Sequence, residues 1–224
     1  MGEVSASVEE NEKFTVAARY SIRSLGIGIG TVSARIVGTA PDNDFRADAD
    51  VNVGLWYFCF SLKSSETASI RNGKLVRYHK IIDTGGHRRE IVGELTDSTL
   101  NVVVNDKGRA VRKVFPVSSF IATNMDYPEV SLVPGAVRRM RVIDLENAEI
   151  VDREYRYVSE EQQEVNGRVA RVVVADFSDK NSECRRWTAI VNGLPVVLRQ
   201  DGKEKTGLFS PNYSVRLTKT SIRS

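Results

Sequence analysis

The protein has 224 residues, with 32 Lys and Arg against 29 Asp and Glu and a formal net charge of +3. Apolar residues make up 41% of the chain, enough for a core, which excludes general disorder. No stretch approaches the roughly 20 apolar residues of a spanning helix, so no transmembrane segment is expected. The small, mixed charge argues against a nucleic-acid partner.

The chain opens on a polar stretch, and we expect residues 1–11 to be a flexible segment before a single β domain over residues 12–224. Met1 to Glu10 carries no basic and apolar leader. Either the protein is cytosolic, or it is an exported domain whose signal has been removed.

Period-two alternation is the dominant pattern along the chain. Strict alternation of apolar and polar residues is typical of half-buried strands in an antiparallel sheet. The clearest runs are Phe14–Ile22, Phe45–Val53, Val169–Phe177 and Tyr213–Leu217.

Turn dipeptides recur in phase with these runs, and they accept the positive φ angles of two-residue hairpins. They are Asn72-Gly73, Gly85-Gly86, Asn166-Gly167, Asn192-Gly193 and Asp201-Gly202, with Asn105–Gly108 as a longer variant. Successive hairpins predict an all-β fold: a large, strongly curved antiparallel meander sheet or an incomplete β-barrel.

The glycine run Gly26–Gly30 suggests a phosphate-binding loop at first sight. Such a loop needs a helix after it, whereas Thr31–Ile36 continues as a strand. We therefore interpret the glycines as a tight hairpin or a bend in the sheet.

The most apolar run is Leu55–Phe60, which we interpret as a central strand covered on both faces. We expect the second face of this strand to be covered by one of three things: a short helix, another layer of sheet or a bound apolar ligand. Cys59 lies in this run, and its spacing from Cys184 neither establishes nor excludes a disulfide.

Helical patterning is scarce. Residues 116–125 predict one short helix, with Pro116 suited to its first turn. The wider stretch 116–136 contains two further prolines, and we interpret it as a crossover connection within one sheet system.

Signatures of catalysis are weak. His79 and His87 flank a predicted hairpin and could approach each other, but two histidines without a third ligand make a poor zinc site. The acidic residues show no pairing in sequence, and no nucleophile elbow or zinc-binding helix occurs. We therefore predict no catalytic residue, no metal ligand and no cofactor, and an enzyme is the less favoured class.

Arg139 and Arg141 share one face of a predicted strand. If that face lines a concave interior, its arginines suit an anionic headgroup or a carboxylate. The alternative is an outer face on which nearby acidic residues balance these charges.

Several short motifs resemble a family of exported bacterial β-rich proteins that carries only a domain-of-unknown-function label. They are Tyr20-Ser21-Ile22 with Gly28-Ile29-Gly30, Ser64-Ser65-Glu66 with Ile70–Leu75, Phe115–Phe120, Val142–Leu145, Val165–Gly167 and Trp187–Val196. In that family a Trp-Tyr-Asp triplet often stands where this chain has Trp187-Thr188-Ala189. The resemblance implies export to a periplasm and an open barrel like the lipoprotein carriers of that compartment, without established catalytic residues.

The expected function is non-catalytic binding of an apolar or amphipathic, lipid-like molecule in the concave face of the sheet. The alternative is a structural protein of the cell envelope that recruits a protein partner through a sheet face or edge. The predicted ligand-binding residues are Trp56, Phe58, Phe60, Arg139, Arg141 and Trp187.

Overall fold

The structure, a computed structural model, describes residues 14–39, 41–55, 58–191, 193–205 and 212–223. The side chains of residues 14, 53–55, 58–60 and 204 lie outside this description. The predicted flexible segment 1–11 also lies outside it, so that prediction stays open.

Extended strands account for most of the described chain, as the alternation predicts. Among these residues no helix is long and apolar enough to cross a bilayer. The strands are β1 Phe14–Ser24, β2 Ile27–Thr39, β3 Asp42–Leu55, β4 Phe58–Arg71, β5 Lys74–Thr84, β6 His87–Thr96, β7 Thr99–Asp106, β8 Arg109–Pro116, β9 Ala122–Thr123, β10 Val137–Asp144, β11 Glu149–Val165, β12 Arg168–Ser178, β13 Ser182–Val191, β14 Leu194–Glu204 and β15 Asn212–Arg223.

All fifteen strands belong to one sheet, in the order β8-β7-β6-β5-β4-β3-β2-β1-β15-β14-β13-β12-β11-β10-β9. Neighbours pair antiparallel, except for the parallel pair β9 and β10. The first strand pairs with the last, from Thr15 opposite Arg223 to Ser24 opposite Tyr213. This pair joins two meanders into one sheet that does not close into a barrel, which confirms the predicted fold class.

The sheet curls so that its two ends approach each other. Buried residues of β4–β7, among them Tyr78 and Ile91, pack against Ile143, Leu145 and Ala148 around the turn from β10 to β11. Lys80 Nζ lies 2.8 Å from Glu146 Oε1 in that turn. The concave face of the first meander is therefore filled by a turn of the second.

Strands β12 and β13 are buried on both faces. Ala175 and Cys184 belong to one core cluster, whereas Val172 and Ala189 belong to another. Because side chains alternate along a strand, these two clusters lie on opposite faces of the same strands. Val16 of β1 packs in the second cluster, so the sheet rolls over onto itself.

The connection over residues 116–136 runs between the two end regions of the sheet, and the short helix predicted within it is reduced. Only a 3-10 turn forms at Val117–Ser119, followed by β9 and a second 3-10 turn at Pro128–Ser131. The N–H groups of Ile121 and Asn124 donate to the carbonyls of Arg141 and Ile143. Since these amides bond to the neighbouring strand, an α-helix cannot use them.

Two sequence interpretations of local structure are wrong. Asp201-Gly202 lies inside β14 instead of making a turn; a Cβ at Gly202 would stand 2.6 Å from Cys184 Sγ, so the glycine serves close packing. The run Leu55–Phe60 is not one central strand, because β3 ends at Leu55 and β4 begins opposite it at Phe58.

Candidate functional site

A buried ion pair fastens the connecting segment to the sheet. Glu129, in the second 3-10 turn, is fully buried, and its Oε1 accepts hydrogen bonds from Arg186 Nη1 at 3.1 Å and Thr188 Oγ1 at 3.2 Å. Burial alone would lower the pKa of Arg186, but the Glu129 carboxylate together with Tyr127 and Tyr155 outweighs it, and the pKa is raised. This pair holds the segment in place, and its carboxylate is closed off from solvent.

The network continues from Arg186 into the core. Arg186 Nε donates to Gln200 Oε1 at 2.8 Å, and Gln200 Nε2 donates to the Tyr213 hydroxyl at 2.8 Å. Cys184 Sγ lies 3.2 Å from the same hydroxyl. The Cys59 side chain lies outside the described residues, so its pairing with Cys184 stays untested.

Polar groups also face the interior of the first meander. The Tyr78 hydroxyl donates to Glu66 Oε1 at 2.6 Å, and burial together with the Glu66 charge raises the pKa of Tyr78. Burial raises the pKa of Glu146, but Lys80 opposes this and the net pKa is lowered. These paired groups differ from the apolar lining that we expected for the concave face.

The two histidines do not converge. His79 Nε2 lies 2.8 Å from Glu90 Oε1, and His87 Nε2 lies 2.7 Å from Asp106 Oδ1. Opposite residues in an antiparallel pair share a face, and β5–β6 register places the two histidines on opposite faces. Each ring therefore has its own carboxylate, and no shared histidine site forms.

A cavity of about 1150 Å³ opens on the face of β11–β15 opposite to Ala175 and Tyr155. We call it the charged groove. Strand register explains its lining, because directly opposite residues on successive strands point the same way. Its central row is Arg23, Ser214, Asp201, Arg185, Asp176 and Arg156, one residue from each of β1, β15, β14, β13, β12 and β11.

Two flanking rows complete the groove. One row runs Arg216, Arg199, Trp187 and Val174, and the other runs Asn212, Lys203, Glu183, Ser178, Glu154 and Arg139. Adjacent rows lie two residues apart along each strand, so all three rows share one face. Residues from seven strands, β1 and β10–β15, thus meet in one surface.

Most groove charges are paired. Arg185 makes a bidentate bond to Asp176, at 2.6 and 2.9 Å, and Arg199 is bonded to Asp201. Six basic side chains nevertheless line the groove against four acidic ones. Arg216 stands directly opposite Arg199, and the Asp201 carboxylate bonded to Arg199 lies close enough for the Arg216 charge to lower its pKa. Within the described chain, neither Arg23 nor Arg216 forms an ion pair, so positive charge concentrates at the β1–β15 side.

Apolar surface adjoins that positive charge. Leu25, in the turn after β1, lines the groove with 82% of its surface exposed. Trp187 is half-buried on the floor, with the Arg199 guanidinium carbon 4.4 Å from its ring centroid. The groove therefore offers both cationic and apolar contacts to a ligand.

The structure places the predicted ligand-binding residues in different settings. Trp187 lines the groove, and Arg139 ends one flanking row, bonded to Glu154 at 2.7 Å. Arg141 is exposed on the same face of β10, one step beyond the row. Trp56 lies outside the described residues. Phe58 and Phe60 belong to β4, but their side chains also lie outside the description.

Sequence reasoning missed Arg23, Arg199 and Arg216. Each alternates with apolar neighbours, as in Ile22-Arg23 and Val215-Arg216-Leu217, and this pattern shows only that the residue faces away from the core. The pairing of β15 with β1 on one side and with β14 on the other brings them together. No local signal predicts that contact between the two ends of the chain.

The fold and the groove define a class: an all-β protein with a curled, unclosed fifteen-stranded sheet and a charged groove on one face. No protein-family model matches the sequence, and no curated protein matches it. Among solved structures, the chain is similar to a β-barrel-like protein of domain of unknown function DUF1849 from Brucella abortus. That match has a TM-score of 0.59 and 9% identity, and covers 93% of this chain and 98% of the other. The likeness is one of fold, to a bacterial β-rich protein whose function is itself unknown.

Proposed function

We propose that the protein is a non-catalytic binding module that holds an anionic amphipathic molecule in the charged groove. The observation that carries this is the positive charge of Arg23 and Arg216 beside the exposed Leu25. The ligand class is the one expected from the sequence, but the proposed site is the charged groove and not the concave face of the sheet.

Three features support this site. The groove volume of about 1150 Å³ is ample for a small amphiphile, since small-molecule sites usually span about 300–1000 Å³. An anionic headgroup beside Arg23 and Arg216, which form no ion pair among the described residues, would gain charge-assisted hydrogen bonds. An alkyl chain that covers Leu25 and the Trp187 ring removes apolar surface from water.

Binding of dodecyl phosphate at submicellar concentration tests the proposal. Isothermal titration should detect binding, and Trp187 fluorescence should change in a Trp56→Phe variant. The double substitution Arg23→Ala and Arg216→Ala removes two charge-assisted contacts, so affinity should fall at least roughly tenfold. Arg77→Ala, an exposed arginine of β5 outside the groove, is the matched control.

Two further probes separate the contributions of head and tail. Inorganic phosphate should bind more weakly than dodecyl phosphate, and dodecyltrimethylammonium should not compete. Equal binding of the two amphiphiles, or full affinity in the double variant, would contradict the proposal.

The resemblance to exported proteins supports a place in the periplasm or another exported compartment. A lipid-like ligand and an envelope partner fit that setting. Fractionation of the native cells with an antibody to this protein tests it, and recovery in the cytosolic fraction would reject it.

A further inference from the structure

One end of the sheet is an exposed edge strand. β8, residues Arg109–Pro116, pairs with β7, and no other described strand pairs with it. Nearly all of it is exposed, including 51% of Val111 and 52% of Val114. An exposed edge strand of this length is a template for a further strand, because one row of its N–H and C=O groups has no ladder partner.

The register shows which backbone groups are available. β7 and β8 join through Lys107 and Gly108, both at positive φ, so Asp106 and Arg109 form the first hydrogen-bonded pair. Since bonded and non-bonded pairs alternate, Ala110, Arg112 and Val114 direct their N–H and C=O groups to the free edge. Pro116 continues this set, where its missing N–H costs no bond to β7.

A cavity of about 680 Å³ lies beside this edge, on the inner face of β7 and β8. Its lining includes Val104, Val111 and Lys113, with Asn147 of the β10–β11 turn across from them. It is an open part of the seam between the ends of the curled sheet. A strand added to β8 would direct every second side chain into this space.

The charge of the edge selects the occupant. Arg109, Arg112 and Lys113 lie on β8, and Lys107 adjoins them. Asp106, the acidic group of the cavity lining, is already bonded to His87. Glu149 lies close enough to Lys113 for the lysine charge to lower its pKa, but this carboxylate already accepts hydrogen bonds from Lys180 and Asn181. The basic edge therefore suits an acidic segment.

A second copy of the chain fits poorly. Antiparallel pairing of two β8 strands about their centre sets Arg112 opposite Arg112. The neighbouring registers set Lys113 opposite Lys113, or Arg109 opposite Lys113. Like charges directly opposite each other destabilise a strand pair.

We propose that β8 is a docking edge for an extended acidic segment of a partner protein, which adds a sixteenth strand and fills the seam. Antiparallel pairing from Val114 back to Arg109 calls for the pattern apolar-acidic-acidic-apolar-any-acidic. The mode is β-strand addition, with the backbone supplying affinity and the charges supplying specificity. The site is separate from the charged groove and does not depend on it.

The test uses a fluorescein-labelled peptide, Val-Glu-Glu-Val-Thr-Glu, with blocked ends, and Val-Lys-Lys-Val-Thr-Lys as its control. Fluorescence anisotropy should show at least tenfold tighter binding of the acidic peptide. Val114→Pro removes an edge N–H without breaking the β7 ladder, and should lower that affinity at least tenfold, whereas Val114→Ala should change it less than threefold. Arg112→Glu, an exposed charge reversal, should also weaken it at least tenfold.

Amide hydrogen exchange supplies a readout that does not depend on the variants. Saturating acidic peptide should slow exchange at Ala110, Arg112 and Val114, while Val111 and Lys113, already bonded to β7, should change little. Binding without protection of those three amides would overturn the proposal. Protection of the same amides in the protein alone would also overturn it, because a second copy or another part of the chain would then cover the edge.

Discussion

The buried pair of Glu129 and Arg186 makes a quantitative prediction about stability. Glu129→Ala leaves the Arg186 guanidinium, whose side chain is 13% exposed, without an ion-pair partner among the described residues. Removing one partner of a buried ion pair costs about 3–5 kcal/mol, because the other charge stays buried and unpaired. Arg186 keeps its bond to Gln200 and lies over the Phe177 ring at 4.6 Å. We therefore expect Glu129→Ala to lower the free energy of unfolding by about 3 kcal/mol, the lower end of this range.

The double variant Glu129→Ala, Arg186→Ala tests the cause of that loss. It removes both charges, so its free energy of unfolding should lie about 2 kcal/mol above the value that additive single losses predict. Urea unfolding followed by tryptophan fluorescence measures Glu129→Ala, Arg186→Ala and the double variant. Glu94→Ala, which removes an exposed partner of the exposed Arg77, is the control and should leave stability nearly unchanged.

Two results would refute this reasoning. A loss below about 1 kcal/mol in Glu129→Ala would show that Arg186 reaches water without its partner. Strict additivity of the single losses would show that the two side chains stabilise the fold independently.

Two further predictions concern close packing and pH. Gly30→Ala places a Cβ 2.2 Å from the Asp50 carbonyl oxygen, whereas Gly28→Ala meets nothing within 4 Å; chemical unfolding should show a loss of about 2 kcal/mol for the first and little for the second, and equal losses would count against the close approach of β2 to β3. The raised pKa of buried Tyr78 means that the folded protein keeps this proton at pH values where the unfolded chain loses it. Its contribution to stability is complete below the ordinary tyrosine value of 10.0 and falls as pH rises above it. Tyr78→Phe should therefore flatten the decline of unfolding free energy across alkaline pH, and an unchanged slope would contradict the assignment.

Much of the local structure follows from the sequence. Alternation in Phe14–Ile22 and Phe45–Val53 predicts strands, and Asn72-Gly73 and Asn166-Gly167 predict turns, because strand periodicity and positive φ are properties of neighbouring residues. The structure has all of these elements. Asp201-Gly202 shows the limit of this reasoning. Its glycine is required because Cys184 and Tyr213, which approach from other strands, leave no room for a Cβ.

The candidate sites depend on tertiary structure. The pairing of β1 with β15 brings Arg23 beside Ser214 and Arg216, and the curl of the sheet leaves the outer edge of β8 at the seam with no partner strand among the described residues. By itself, the sequence determined most of the strands and turns and, for the half-buried strands, which face is apolar. Only the tertiary structure decided which strands become neighbours, because strand pairing joins backbone groups that are alike in every residue, and the choice among them rests on packing across the whole sheet.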